Sequence, residues 1–193
     1  MPDTLIAFLD VETSGLSPVN DHIVQLGTVL YEPGSPAGAM TFNSLANPGK
    51  PIPEKASTIH GITDDKVRYA PPSQAVASDW WRSLREQAEL RGKKLALAAH
   101  NAPFDLSMLA KYFPPEWPGV PVVCTLKLAR RLDPSSPRHK LGYLVSERYG
   151  LDGEMAKDAH DALADCWMGV LLLEHYVKAS GKGHAELAAW LAR

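Results

Sequence analysis

The chain has 193 residues, of which 45% are hydrophobic and 22% are charged. This composition predicts one soluble globular domain over residues 1–193, with a core that needs no disulfides or structural metal. The absence of an apolar run of about 18 residues excludes a membrane-spanning helix, and without a signal peptide a cytoplasmic location is expected. The formal net charge of −2 argues against nucleic-acid binding by bulk charge, so any such activity should be local and metal-assisted.

Three apolar segments predict an antiparallel opening of the fold. Residues Thr4–Val11 form a nearly continuous apolar run, which is typical of a strand buried on both faces. Ile23–Tyr31 and Ala39–Leu45 are the next predicted strands. The turn-rich gaps between the three segments favour an antiparallel meander.

Helices alternate with short strands in the rest of the chain. The predicted strands are Leu95–Ala99 and Val120–Cys124, and the predicted helices are Ser73–Arg91, Phe104–Phe113, Thr125–Leu132, Leu141–Tyr149, Asp161–Lys178 and Ala185–Arg193. Together with the opening meander, this order predicts an α/β domain with a mixed five-stranded sheet flanked by helices.

Two carboxylates end the first predicted strand. Side chains alternate along a strand, so Asp10 and Glu12 share one face and continue the row of Ile6 and Phe8. Neighbouring carboxylates at the end of a buried strand repel each other and lose hydration, and a divalent cation such as Mg²⁺ or Mn²⁺ removes both costs. The alternative is that both side chains lie in a solvated loop just past the strand.

Two later segments place acidic residues near predicted helix starts. Asp105 ends the sequence HNAPFD, where its carboxylate could equally complement the helix dipole. The sequence HDALAD begins at His160 and ends at Asp165. For His160 and Asp161 the alternative is helix capping or a match to the helix dipole. Asp165 lies one turn into the helix beside an apolar stretch, where an unpaired carboxylate is costly. An ideal helix separates positions 160 and 165 by about 140°, so both face one site only if His160 precedes the helix.

The ordered motifs D-x-E, N-x-x-F-D and H-x-x-x-x-D resemble those of the DEDDh (DnaQ-like) 3′–5′ exonuclease family, which has a ribonuclease-H-like fold. The resemblance includes the TSGL segment at Thr13–Leu16, the IHGIT segment at Ile59–Thr63 and the stretch from Cys124 to Leu151. It covers about residues 5 to 175. Polymerase proofreading exonucleases and ribonuclease T belong to this family.

The resemblance implies hydrolysis of phosphodiester bonds with two metal ions. The implied catalytic residues are Asp10, Glu12, Asp105, His160 and Asp165. The four carboxylates would hold two Mg²⁺ or Mn²⁺ ions, and His160 would take a proton from the attacking water. Nucleoside 5′-monophosphates would be released from the 3′ end of the strand.

The resemblance also implies that the 3′-terminal nucleotide is held by stacking and apolar wedging, without sequence readout. The implied substrate-binding residues are Thr13, Leu16, Ile59, His60, Asn101 and Phe104. For Leu16 and Ile59, ordinary core packing is the alternative.

DNA with single-stranded, frayed or mispaired ends is the favoured substrate, and a DNA polymerase is a possible partner. The alternative is an RNA-processing exonuclease of the ribonuclease T or oligoribonuclease kind, although DVETSG differs from the DxEMTG of most oligoribonucleases. A non-catalytic nucleic-acid-binding domain would not need all five catalytic positions. The basic residues between 127 and 140 could contact phosphates or form a solvated helix face, and the sequence favours neither interpretation.

Overall fold

A five-stranded mixed sheet forms the centre of the protein. The computed structural model describes residues 4–150 and 161–184, together with positions 186 and 189. The strands are β1 (Thr4–Thr13), β2 (Ile23–Glu32), β3 (Ser35–Leu45), β4 (Lys94–Ala99) and β5 (Val122–Cys124). Their order across the sheet is β3-β2-β1-β4-β5. Strands β1 to β3 are antiparallel neighbours, and β4 and β5 continue the sheet in parallel to β1. The predicted sheet is confirmed.

Helices cover both faces of this sheet. Those bounded by described residues are α1 (Glu54–His60), α2 (Asp64–Val67), α3 (Ser73–Leu90), α4 (Ala102–Ala110), α5 (Thr125–Leu132), α6 (Leu141–Tyr149) and α7 (Ala162–Ser180). The sequence pattern misses α1 and α2 because such short segments show no helical periodicity. The predicted helix Ala185–Arg193 lies largely outside the described residues. No helix within the described ranges is long and apolar enough to cross a membrane.

The third strand starts at Ser35, four residues before the predicted start at Ala39. Pro36 has no N–H for a sheet ladder, which disfavours a strand at this position. The sheet order makes β3 an edge strand, and an edge strand tolerates proline.

Helix α4 is shifted towards the N-terminus relative to the predicted Phe104–Phe113. It starts earlier because Pro103 is acceptable in a first helical turn, where no helical N–H bond is required. It ends earlier because the next N–H groups bond to carbonyls only three residues back, from Tyr112 to Leu109 at 2.9 Å and from Phe113 to Ala110 at 3.1 Å.

Strand β1 divides the core into two layers. Leu9 and Val11 belong to the cluster packed with α3 and α4, whereas Ile6 and Phe8 belong to the cluster packed with α5, α6 and α7. Because Asp10 continues the row of Ile6 and Phe8, its side chain faces the α7 layer, as the alternation predicts.

Two glycines allow α7 to lie close to the sheet. A Cβ atom on Gly169 would come within 2.0 Å of the Phe8 ring, and one on Gly27 within 2.5 Å of the Ala162 backbone. Gly27 lies opposite Asp10 in the β1–β2 register. The first turn of α7 therefore reaches the sheet beside the end of β1.

Replacing Gly169 with alanine should destabilise the protein, because the new methyl group would overlap the Phe8 ring. We expect a loss of about 1–3 kcal/mol in the free energy of unfolding. Gly142→Ala in α6 is the matched control, since its Cβ would enter open space and should add about 0.4–1 kcal/mol. Chemical denaturation measures both changes, and equal stabilities would contradict the close packing of α7.

Candidate active site

Three acidic side chains meet at the end of β1. Asp10 and Glu12 belong to β1, and Asp165 belongs to the first turn of α7. Each offers one carboxylate oxygen, and these oxygens all lie within 4.8 Å of one another. Glu12 is only 8% exposed and both β1 residues are paired with β2, so the solvated-loop alternative is excluded.

The electrostatics of this group disfavour three bare negative charges. Burial, followed by the charges of Asp165 and Asp161, raises the pKa of Asp10 well above its usual range. Burial and the charges of Asp10, Asp165 and Asp161 raise the pKa of Glu12 to about 9. A cation at this position would favour the ionised carboxylates, because it offsets both their lost hydration and their mutual repulsion.

Asp105 approaches the same strand end from the opposite layer. The pairing of β1 with β4 ends at Phe8 and Ala98, and α4 begins shortly after β4. Asp105 is 2% exposed, and its Oδ1 accepts the Val11 N–H at 3.3 Å. Burial and then the charge of Asp10 raise the pKa of Asp105. Asp105 therefore lies beside Asp10 but outside the group of three carboxylates.

The donor set fits a hard divalent cation. Its members offer only carboxylate oxygens, the ligands that Mg²⁺ and Mn²⁺ prefer. The Oδ2 atom of Asp105 is buried and has no hydrogen-bond partner among the described residues. Such an atom is costly unless a ligand satisfies it.

Asp161 and Gln25 fix the start of α7. Asp161 Oδ1 accepts the N–H groups of Leu163 and Ala164, both at 3.1 Å, so its predicted capping role is confirmed. Its Oδ2 accepts a hydrogen bond from Gln25 Nε2 at 2.9 Å. Gln25 lies opposite Glu12 in the strand register, so it ties the helix start to the strands that carry the carboxylates. A glutamine inside a largely apolar predicted strand is the sequence signal for this role.

His160 lies outside the described residues, and its role as proton acceptor stays a prediction. That prediction requires the helix to begin after position 160. Helix α7 begins at Ala162, with Asp161 as its N-cap.

Leu16 is presented by a tightly bonded loop between β1 and β2. Its side chain is 81% exposed, which excludes core packing. The carboxylate of Asp21 accepts hydrogen bonds from the Ser17 N–H at 3.0 Å and from Lys50 Nζ at 2.9 Å. A Cβ atom on Gly15 would lie within 2.4 Å of the same carboxylate. The loop therefore folds around the Asp21 carboxylate, and the Leu16 side chain projects into solvent.

Ile59 and His60 end α1 close to the end of β1. Ile59 is 53% exposed, which excludes core packing for it as well. His60 Nδ1 accepts the Ile62 N–H at 3.0 Å, so Nε2 carries the proton and donates to the Thr13 carbonyl at 3.2 Å. The Thr13 hydroxyl in turn donates to the Gly15 carbonyl at 2.7 Å. His60 therefore fastens α1 to the end of β1, a role that sequence reasoning missed.

The junction between β4 and α4 carries Asn101 and Phe104. Asn101 is exposed and has a left-handed backbone with φ of 72°, a strained conformation for a residue with a side chain. Phe104 is partly buried against the core cluster of α3 and α4.

His100, which follows β4, is held by two hydrogen bonds. It donates from Nε2 to the His139 carbonyl at 2.9 Å, and its Nδ1 accepts a hydrogen bond from the Thr125 hydroxyl at 3.0 Å. Burial lowers the pKa of His100 to about 4, so it is neutral.

A family model described as an exonuclease, RNase_T, matches residues 7–173. The chain belongs to this exonuclease family. The DnaQ-like 3′–5′ exonuclease assignment that the motifs predict is confirmed at the level of the family.

Two polymerase-related sequences are similar to this exonuclease domain. It is 34% identical over 191 residues to a DNA polymerase III PolC-type protein of Oceanobacillus iheyensis, an alignment covering 96% of this chain and 12% of that protein. It is 39% identical over 109 residues to a DNA polymerase III subunit epsilon-like protein of Rhodobacter capsulatus, covering 56% of this chain and 14% of that protein. The chain thus spans only a small part of the length of these relatives.

Solved exonuclease structures share the fold. Exonuclease X in complex with 5′ overhanging duplex DNA has a TM-score of 0.73 and 28% identity, covering 96% of this chain and 99% of that one. Exonuclease I of E. coli in complex with a dT13 oligonucleotide has a TM-score of 0.74 and 18% identity, covering 92% of this chain and 42% of that one. At that identity the second structure supports the fold alone.

The metal-free protein should lose stability as the pH rises. The pKa of Glu12 is raised from 4.5 to about 9 in the folded state, so between these values the folded state binds more protons than the unfolded state. The free energy of unfolding therefore falls with increasing pH in this window. Glu12→Gln should flatten the fall, and Mg²⁺ or Mn²⁺ should raise Tm more at about pH 8 than at about pH 5.

Thermal unfolding in EDTA at stepped pH, with and without added metal, measures both effects. Parallel Tm profiles for the wild type and Glu12→Gln would contradict the raised pKa.

Proposed function

We propose that this chain hydrolyses DNA from its 3′ end and releases nucleoside 5′-monophosphates. The observation that carries the proposal is the convergence of Asp10, Glu12 and Asp165, with Asp105 beside them, in a chain of the exonuclease family. DNA is favoured over RNA because the relatives are DNA polymerase III proteins and the Exonuclease X structure contains DNA. Single-stranded, frayed or mispaired ends are the proposed substrates.

We further propose that residues 1–193 act as one exonuclease domain and that a DNA polymerase is a partner. The names of the relatives support this partner, since they are a PolC-type polymerase and an epsilon-like subunit. A cytoplasmic location stays a prediction of the sequence.

The carboxylates would hold two Mg²⁺ or Mn²⁺ ions. Asp10 belongs to the group with Glu12 and Asp165, and its charge also acts on Asp105. Asp10 would therefore bind both ions, Glu12 and Asp165 would complete one site, and Asp105 would support the other. Bound ions of this kind neutralise phosphate charge, lower the pKa of a water nucleophile and stabilise the leaving oxygen. His160 would accept the proton of the attacking water, a role that suits a neutral imidazole.

The 3′-terminal nucleotide would be held by exposed apolar side chains. Leu16 and Ile59 project from two segments that are joined through the His60–Thr13 hydrogen bond, so both can cover bases at the end of the strand. Thr13, His60, Asn101 and Phe104 would complete the pocket. Contacts to base faces are independent of sequence, which suits an enzyme that removes any nucleotide.

Asp165→Asn should abolish hydrolysis without lowering Tm, because the substitution removes a metal ligand from a group of repelling charges. Asp79→Asn on the exposed face of α3 is the matched control and should keep full activity. The assay follows shortening of a 5′-labelled oligonucleotide from its 3′ end with Mg²⁺. EDTA should stop the reaction, and full activity in EDTA would contradict metal dependence.

Matched single-stranded DNA, single-stranded RNA and duplexes with mispaired 3′ ends test the choice of substrate. Faster hydrolysis of RNA would favour the RNA-processing alternative. Cleavage of circular single strands at the same rate as linear strands would contradict an exonuclease.

Leu16→Ala and Ile59→Ala should raise KM severalfold and change the free energy of unfolding by no more than about 0.5 kcal/mol, because both side chains are exposed. Leu90→Ala is the matched control: Leu90 is 78% exposed at the end of α3, near the start of β4. Oligonucleotide kinetics with thermal unfolding separates the effects. An unchanged KM would remove both residues from the binding site.

His160→Asn should lower kcat by roughly 10²–10⁴-fold and leave oligonucleotide binding nearly unchanged, because a general base acts in the chemical step. The rising limb of kcat/KM against pH, expected near the unperturbed histidine pKa of about 6.5, should flatten in the variant. Near-normal activity with the same pH profile would mean that another group accepts the proton.

A further inference from the structure

A basic strip lies on α5 and on the segment that joins α5 to α6. It consists of the exposed residues Lys127, Arg130, Arg138 and Lys140. Residues 125–146 contain five basic residues and one carboxylate, a formal charge of +4 within a chain of net charge −2. The single carboxylate, Asp133, forms an ion pair with Arg148, so its charge does not neutralise the basic strip.

One end of the basic strip lies near the C-terminal ends of β1 and β4, where the catalytic carboxylates are found. Strand β4 is parallel to β1, so the C-terminal end of β4 lies at the same end of the sheet as the acidic group. His100 follows β4 directly and donates a hydrogen bond of 2.9 Å to the His139 carbonyl. His139 stands between Arg138 and Lys140, which are thereby held next to the active site.

The four cations have no acidic partner among the described residues. The ion pairs near the strip are formed by Arg148 with Asp133 and Glu147 and do not include the four cations, and Arg138 lies over the Tyr143 ring at 5.9 Å. An ordinary solvated helix face mixes both signs, as α3 does where Arg82 pairs with Asp79 at 2.6 Å. Exposed like charges collected in one strip repel one another, and a polyanion relieves that repulsion.

We propose that the basic strip binds backbone phosphates of the DNA strand upstream of its 3′-terminal nucleotide. The inference rests on the proposed function, since a strand whose 3′ end lies at the carboxylates must leave along the protein surface. The basic strip offers a positively charged surface that begins beside the C-terminal ends of β1 and β4. Phosphate contacts carry no sequence information, so they add affinity for longer strands without restricting which bases are removed.

The test compares Arg138→Ala/Lys140→Ala with a matched double variant, Arg85→Ala/Lys94→Ala. Arg85 and Lys94 are also exposed, and Lys94 starts β4, at the end of the strand away from the acidic group. Steady-state kinetics would use oligo(dT) of three and of twelve nucleotides over a range of salt concentrations. Binding of 5′-fluorescein-labelled dT12, measured by anisotropy in metal-free buffer, gives a readout that does not require hydrolysis.

The strip variant should raise KM for the twelve-nucleotide strand by roughly tenfold, with kcat unchanged and less than a twofold effect on the trinucleotide. The slope of log affinity against log salt should fall by about 0.7 for each phosphate that the variant no longer binds. The control variant should behave as the wild type.

Equal KM values for the strip variant and the wild type would overturn the inference and favour a solvated helix face. An equal effect on both strand lengths would also overturn it, because upstream phosphates are absent from the short substrate. If the wild type hydrolysed neither strand, the proposed function would fail, and anisotropy alone would still decide whether the strip binds DNA.

Discussion

The close packing of α7 on β1 and β2 is the constraint on which the acidic site depends. As carboxylates, Asp10, Glu12 and Asp165 would lose hydration on burial and repel one another, so their own chemistry opposes bringing them together in the absence of a cation. Burial of the apolar face of α7, with Phe8 seated at Gly169, contributes the free energy that keeps them together. The acidic group is therefore a product of core packing, and a metal would bind a site that already exists.

Polar bonds refine this packing at the helix start. Gln25 and Asp161 join β2 to the first turn of α7 through a side-chain hydrogen bond, which sets the rotation of the helix at its first turn. Because successive helix residues lie about 100° apart, a shift of the helix start by one residue would turn Asp165 away from β1. Hydrogen bonds with fixed donors and acceptors resist such a rotation better than apolar contacts do.

The strands, the long helices and the face of Asp10 could be predicted because each leaves a periodic pattern in the sequence. Alternation along β1 placed Ile6 and Phe8 on one side and Leu9 on the other, and the structure has the same two layers. The place of Asp105 could not be predicted in this way. It depends on where β1 and β4 separate and on the left-handed backbone of Asn101, and both are properties of the assembled sheet.

The sequence pattern also could not predict which apolar side chains are exposed. Leu16 and a core leucine look alike in a linear pattern, and only the loop around Asp21 determines that Leu16 faces outward. The resemblance placed His60 against bases, whereas its ring nitrogens bond to the backbone of Ile62 and Thr13. A ring face can still stack on a base, so the two roles are compatible.

The two edge strands limit where a further strand could pair with the sheet. Pro36 in β3 has no N–H to share, and β5 at the other edge contains only three residues. Long open edges recruit strands from other chains and promote aggregation. The β5 edge is therefore poorly suited to adding a strand from a neighbour. A protein partner at the β5 edge would have to recognise side chains, and surface substitutions there could then change the partner while the sheet stayed intact.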